Sequence, residues 1–324
     1  MSKEPLLKVE ELTISFESSE GDIEITDEVS FDIYPGEVLG LVGESGCGKT
    51  VTALALLRLL PIPGGKITSG RVLLKGKDIL SLSAEEIRHV RGKNISMIFQ
   101  EPSAAINPLL TIKTQLMECF DYHEFEGNSE QRVLDLLKRV DFPDPQRILS
   151  SYPHELSGGM LQRVMIATAL LMKPDLIIAD EPTTALDVTV QAHIMELLLE
   201  MKKETDTSIL FITHNLNLIA QYADRLIVMY AGRIVENSQL EPFIQRPLHP
   251  YSKGLLNALP NINEGKPQIF PIPGQVPPPK DYESGCRYRE RCDNEFDLCI
   301  KKPDLLPFND RQNVACFLYN KEAR

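Results

Sequence analysis

Residues Gly43-Glu44-Ser45-Gly46-Cys47-Gly48-Lys49-Thr50 fit the pattern GxxxxGK[ST], the tightest constraint in the sequence. They follow Val38-Leu39-Gly40-Leu41-Val42, an apolar run that reads as a strand buried on both faces. A helical pattern then runs from Lys49 to about Leu60 and stops at Pro61. In this strand–loop–helix setting the glycines let backbone N–H groups turn inward around phosphate oxygens. Lys49 reaches the β- and γ-phosphates, and the Thr50 hydroxyl ligates Mg²⁺. The helix N-terminus adds a partial positive charge. Cys47 inside the loop reads as a small tolerated side chain, not as a reactive thiol.

A buried phosphate-loop strand needs parallel neighbours, and the chain supplies them. The first ~45 residues read as strands (Leu7–Phe16, Ile23–Ile33), with more at Val72–Lys75 and Ile95–Phe99. From about Thr111 to Tyr152 the pattern turns helical and more polar, as an inserted lobe would. Past Leu156 the expected order is helix 159–172, strand 176–179, helix 188–203, strand 208–212, helix 216–222 and strand 226–229. This alternation implies a mostly parallel sheet covered on both faces, an α/β fold. After about Pro242 the prolines at 247, 250, 260, 267, 271, 273 and 277–279 break regular structure. The expected division is therefore a nucleotide-binding domain over 1–242, with its helical lobe at about 102–172. A loop-rich, cysteine-containing extension follows over 243–324. At 324 residues the chain has length for roughly two domains.

A second acidic site is expected at Leu176-Ile177-Ile178-Ala179-Asp180-Glu181-Pro182, an apolar strand ending in two carboxylates. Ligands in such sheets bind at the carboxyl ends of strands. Asp180 can hold the Mg²⁺ shell and Glu181 can polarise the attacking water, a division sufficient for phosphoryl transfer. The net charge of −12 argues against nucleic acid as a partner. No apolar h-region opens the chain and no run of about 20 apolar residues occurs. Any membrane role therefore goes through a partner.

Between the two sites lies Leu156-Ser157-Gly158-Gly159-Met160-Leu161-Gln162-Arg163, which resembles the signature motif of ABC ATPases. The remaining motifs of that family follow in order: Gln100 as the Q-loop, Thr184-Ala185-Leu186-Asp187 as the D-loop and His214 as the H-loop. Finer detail is similar to the oligopeptide/dipeptide importer ATPases, and to their D-type subunit more than to the F-type. The matching residues are Ile98-Phe99-Gln100-Glu101-Pro102, Ala105-Ile106-Asn107-Pro108, 179–192, Val51 after the phosphate loop, and Pro247-Leu248-His249-Pro250-Tyr251-Ser252-Lys253.

The resemblance implies an ABC-type nucleotide-binding domain with N-terminal antiparallel strands and a helical lobe. It implies ATP and Mg²⁺, with Glu181, His214 and Gln100 catalytic. Nucleotide binding would fall to Phe16 (adenine), Gly43, Glu44, Ser45, Gly46, Cys47, Gly48, Lys49, Thr50 and Val51. Thr50, Gln100 and Asp180 would hold Mg²⁺. Ser157, Gly158, Gly159 and Asp187 would contact ATP bound to the opposite subunit. The implied partners are two transmembrane permease subunits, an F-type ATPase or a second copy of the chain, and, indirectly, an extracellular peptide-binding protein. The implied location is the cytoplasmic face of the cell membrane. A nickel importer of the same family, a non-transport soluble ABC ATPase and an iron-sensing switch are the alternatives. Met160 stands where the signature usually has glutamine, and Thr50 where serine is commoner; neither removes the hydrolytic carboxylate.

Four of the six cysteines, Cys286, Cys292, Cys299 and Cys316, crowd the tail. Four-cysteine sites bind zinc or an iron–sulfur cluster. These spacings are wider than those of structural zinc sites, and the resemblance also points to [4Fe–4S]. That cluster is the expectation, with Zn²⁺ or metal-free thiols as alternatives. Arg287, Arg289 and Arg291 beside the first two cysteines either offset cluster charge or are solvated surface.

Overall fold

A computed structural model describes residues 4–19, 21–183, 186–258 and 272–320. Pro260, Pro267 and Pro271, and the Thr184-Ala185 pair of the expected D-loop, lie outside the described residues. In chain order the elements begin with β1 (Leu7–Ser18), β2 (Gly21–Ile33), β3 (Val38–Val42), α1 (Lys49–Leu56), β4 (Gly65–Leu74) and β5 (Lys77–Asp78). Next come α2 (Ala84–Val90), β6 (Ile95–Ile98), α3 (Pro102–Ala105), α4 (Ile112–Tyr122), α5 (Ser129–Arg139), α6 (Pro145–Ser150) and α7 (Gly158–Leu170). Then follow β7 (Leu176–Asp180), α8 (Val188–Thr205), β8 (Ser208–Thr213), α9 (Leu216–Tyr222), β9 (Arg225–Tyr230) and β10 (Arg233–Gln239). The chain closes with α10 (Leu240–Gln245), α11 (Pro250–Asn257), β11 (Leu306–Asn309) and β12 (Gln312–Val314). This is the expected α/β architecture.

The chain divides into two compact units, Met1–Ile33 with Glu37–Leu80 and Phe211–Arg324, and Tyr34–Gly36 with Ser81–Leu210. In the first, an antiparallel sheet runs in the order β2-β1-β4-β5. Leu7, Val9, Leu12 and Ile14 of β1 face its core. Their alternation slips because β1 bulges between Glu10 and Thr13 against β4, which is why the pattern over Leu7–Phe16 is imperfect. β3 is buried throughout and pairs with β9 in parallel. β9 pairs with β10, β10 with β12 and β12 with β11, all antiparallel. The C-terminal tail thus lengthens a sheet of its unit instead of hanging from it. α1 is shorter than expected. It ends at Leu56 because Arg58 turns to φ 53 and Leu59 N–H bonds back to the Leu54 carbonyl, before Pro61 is reached.

β10 carries little apolar pattern (Arg233, Glu236, Asn237, Ser238, Gln239), and its burial has a different source. The Glu236 carboxylate is 0% exposed and accepts from the N–H groups of Leu248 (3.0 Å) and His249 (2.8 Å). His249 then caps α11, its Nδ1 accepting from Tyr251 N–H at 3.1 Å. Complete burial pushes the His249 imidazole down to about 3. Between that value and the ordinary 6.5 the unfolded chain binds the extra proton, so stability falls as pH falls through this window. The slope is at most about 1.4 kcal/mol per pH unit. It is partly offset by Glu236, whose pKa burial raises. Between pH 7 and pH 5 the melting temperature should therefore drop more in the native protein than in His249→Asn, which keeps a capping acceptor but does not titrate. Parallel curves in a thermal melt series would exclude His249 as the source.

In the second unit β6 and β7 pair in parallel, Ile95 opposite Leu176 through Ile98 opposite Ala179. Helices begin where the sequence places a capping side chain: Thr111, Asn128, Asp144, Ser157 and Asp187 each accept from an N–H of the following turn. α5 buries Val133, Leu136 and Leu137, and α7 buries Leu161, Val164, Met165 and Ile166. Each such side chain is worth about 1.5–3 kcal/mol. Arg132 donates to the carbonyls of Leu170 (2.9 Å) and Leu171 (3.2 Å) at the end of α7. Arg163 lies over the Phe142 ring at 4.4 Å and donates to the Asp141 carbonyl at 2.7 Å. The polar helical segment is thereby fixed along α7.

Candidate active site

The phosphate loop joins β3 to α1 as expected. Gly43 is fixed by close approach: a Cβ there would lie 2.2 Å from the Met229 carbonyl oxygen and 2.8 Å from Cys47 Sγ. Gly48 is fixed by conformation, since it caps α1 at φ 104 without a side-chain hydrogen bond. The first N–H groups of α1 thus meet no capping side chain, as an anion cradle requires. Lys49 is 7% exposed, and its Nζ donates to the carbonyls of Gly43 (2.8 Å) and Glu44 (2.9 Å). The ammonium is held at the mouth of the loop by its own backbone. Cys47 is fully buried, and burial pushes its thiol up despite Lys49 alongside. This matches the reading of Cys47 as a packed side chain. Ser45 and Gly46 are exposed, and Thr50 is half-buried on the first turn of α1.

Two further expected residues belong to this unit. Phe16 is half-buried near the end of β1, its ring edge 3.2 Å from where a Cβ on Gly65 would stand. His214 is exposed just past β8, where Thr213 Oγ1 accepts from Asn215 N–H and Asn215 caps α9.

In the second unit the parallel register brings two expected residues together. Gln100 and Glu181 each stand two positions beyond the Ile98–Ala179 pair, and Gln100 Nε2 donates to Glu181 Oε2 at 3.3 Å. Asp180 is 1% exposed at the end of β7. Glu181 has φ 47, a left-handed conformation uncommon outside glycine that clusters at functional sites. Ser157 caps α7 by accepting from Met160 N–H at 3.3 Å. Ser157 and Gly158 are exposed, and nothing stands within 4 Å of a Cβ on Gly158. Asp187 is exposed and caps α8, accepting from the N–H groups of Thr189 and Val190 at 3.0 Å.

One residue of the signature motif makes a contact that the motif itself does not state. Gln162, 0% exposed within the signature helix α7, donates from Nε2 to the Pro182 carbonyl at 2.7 Å. It ties the helix that follows Ser157 to the turn that carries Glu181. A glutamine on an otherwise apolar helical face was the available signal.

The tail cysteines require a correction. Among the described residues no group of three or more His, Cys, Asp or Glu side chains could hold a metal ion, so the expected [4Fe–4S] cluster and its zinc alternative are withdrawn. All four are free thiols. Burial pushes Cys286 up to about 11 and Cys316 up to about 12. What knits the segment is backbone and arginine. Cys286 N–H donates to the Cys299 carbonyl at 2.9 Å. Arg287 pairs with Glu24 and Asp27, Arg289 with Glu283 and Arg291 with Glu44. These arginines neither balance a cluster nor stand free in solvent.

The chain is similar to known proteins along two regions. The family described as ABC transporter matches residues 26–184, and that described as oligopeptide/dipeptide transporter, C-terminal region, matches 235–299. The chain is 44% identical to the dipeptide transport ATP-binding protein DppD of Bacillus subtilis, over 99% of this chain and 96% of that one. It is 43% identical to the oligopeptide transport ATP-binding protein OppD of Salmonella typhimurium, over 96% and 93%. Among solved structures it is similar to the ATP-binding cassette MJ0796 in a dimeric post-hydrolysis state with ADP and Pi. That match has a TM-score of 0.65 at 28% identity, covering 72% of this chain and 98% of that one.

Proposed function

The chain belongs to the ABC transporter ATP-binding proteins and carries the C-terminal region of their oligopeptide/dipeptide group, and from that premise we propose that it powers the import of dipeptides and oligopeptides by hydrolysing ATP. The observation that carries the reading is the occurrence of a phosphate loop and a Gln100–Glu181 pair in one chain whose tail also matches the peptide-transporter region. In this reading residues 1–242 form the ATPase domain, with its helical lobe at 102–172, and residues 243–324 are the extension.

The division of labour follows from the side chains. Lys49 exchanges the Gly43 and Glu44 carbonyls for phosphate oxygens, and the loop amides from Gly43 to Val51 cradle the rest. Phe16 offers an aromatic face to adenine. Glu181 accepts a proton from the attacking water, with Gln100 holding its carboxylate in place, and His214 steadies the γ-phosphate. Mg²⁺ bound with ATP supplies charge neutralisation at the phosphates. Thr50, Asp180 and Gln100 present the oxygen donors that such a hard cation takes. Ser157, Gly158 and Asp187, exposed at two helix N-termini, and the half-buried Gly159 address ATP held by a second ATPase chain, either an F-type subunit or another copy. Two transmembrane permeases recruit the pair to the cytoplasmic face of the membrane and receive solute from an external binding protein. Among the described residues no helix is long and apolar enough to cross the membrane.

The test is Mg²⁺-dependent ATP hydrolysis by the chain assembled with its permeases in lipid. Binding protein loaded with di- or oligopeptide should raise the rate several-fold over empty binding protein. A rate that answers to nickel and not to peptide would overturn the peptide assignment.

A further inference from the structure

Glu44 places a carboxylate one residue from the start of a cradle built for a polyanion. The C-terminal extension deals with it. Arg291 NH1 donates to Glu44 Oε1 at 3.1 Å and NH2 to Oε2 at 3.2 Å, a bidentate pair across 247 positions of sequence. The Arg291 side chain is 7% exposed. Its remaining contacts fix the fork, with Nε on the Pro273 carbonyl at 2.8 Å, NH2 on the Gly274 carbonyl at 3.4 Å and NH1 on the Tyr230 hydroxyl at 3.3 Å. The guanidinium carbon lies 5.6 Å from the Tyr230 ring centre and 5.8 Å from that of Tyr288. From the same extension the buried Tyr251 hydroxyl accepts from the Glu44 backbone N–H at 2.8 Å. Tyr230, Tyr251 and Tyr288 pack on one another with ring centres 4.7–5.4 Å apart. One residue of the loop is thus held by side chain and by backbone, both from the tail.

We propose that Arg291 and Tyr251 are positioning residues for ATP binding: Arg291 cancels the Glu44 charge beside the incoming phosphates, and Tyr251 sets the backbone of Glu44. The proposal rests on the phosphate-loop reading of 43–50 and deepens it. The tail is then part of the nucleotide site and not only a docking module. Arg291 is buried and Glu44 half-buried, so the pair is screened less by salt than a fully exposed pair. Without Arg291 the carboxylate would repel the triphosphate, and added salt would relieve that repulsion.

The experiment is titration of the full-length chain with a fluorescent ATP analogue, native protein first. A native protein that does not bind would count against the phosphate-loop reading itself. With native binding established, Arg291→Ala should weaken affinity about tenfold, with the deficit shrinking in high salt. Arg291→Lys, which keeps the charge, should recover most of it. The double variant Glu44→Gln/Arg291→Ala should bind more tightly than Arg291→Ala alone, because the charge needing cancellation is gone. Unchanged affinity in Arg291→Ala overturns the proposal. So does an equal loss in the single and double variants, which would mean that Arg291 only docks the tail. Should Arg291→Ala fail to fold, Arg291→Gln keeps a donor toward the Pro273 and Gly274 carbonyls and permits the same comparison. Tyr251→Phe, which removes the acceptor of the Glu44 N–H, should weaken binding without the salt dependence.

Discussion

Glu181→Gln should lower the rate of ATP hydrolysis by about 10²–10⁴-fold, the span of a lost general base, while ATP still binds. The substitution is close to isosteric, and the hydrogen bond from Gln100 Nε2 survives it, since the new amide keeps an oxygen to accept. The unusual φ of 47 at this position is carried by the backbone turn and by Gln162 on the Pro182 carbonyl, and neither changes. Only the ability to take a proton from water is lost. ATP should then persist unhydrolysed, and the two-chain ATP-bound state should accumulate. Phosphate release under single-turnover conditions, with sizing of the ATP-bound species, measures both. Turnover above about a tenth of the native rate would show that another group activates the water.

Legibility in the sequence followed the physics that fixed each part. The phosphate loop was readable because its demands are local: Gly43 where the Met229 carbonyl leaves no room for a Cβ, Gly48 at positive φ, and Lys49 on the first helical turn. Gln100 and Glu181 could be named from spacing beyond two apolar strands. That they touch is a consequence of the β6–β7 register, which no local pattern states. β10 went unread because its buried face carries Glu236, made tolerable by two backbone donors in a segment that follows it. β11 and β12 went unread because Leu306–Asn309 contains a proline and is exposed along its length, so no alternation marks it.

The tail taught the opposite lesson. Four cysteines in a proline-rich stretch looked like a ligand set because sequence shows spacing and not protonation or assembly. In the structure no metal-holding group forms among the described residues. The arginines interleaved with them, ambiguous in the sequence, reach Glu24, Asp27, Glu283 and Glu44. Long-range ion pairs of this kind leave no periodic trace, yet they determine what the tail touches.

Lys49→Ala should abolish productive nucleotide binding, with affinity falling by about 10²-fold or more. A charge-assisted hydrogen bond is worth about 1.5–3 kcal/mol, and Lys49 faces two phosphates in the reading given above. The hydrogen bonds of Lys49 supply a second consequence. Its Nζ donates to the buried Gly43 carbonyl and to the Glu44 carbonyl, which also accepts from Cys47 N–H at 3.4 Å, so truncation strips the Gly43 carbonyl of this donor. An unsatisfied buried acceptor costs about 1–3 kcal/mol, and the apo protein should melt at a lower temperature than the native chain. The two losses are separable. Lys49→Arg keeps the charge but needs room for a planar fork where a single Cβ on Gly43 would already strike the Met229 carbonyl at 2.2 Å. It too should bind ATP poorly, which would place the requirement on a compact ammonium and not on charge alone. Titration with ATP, run beside thermal melts of the apo forms, decides the matter. Native affinity in Lys49→Ala would remove Lys49, and with it the loop, from the nucleotide site.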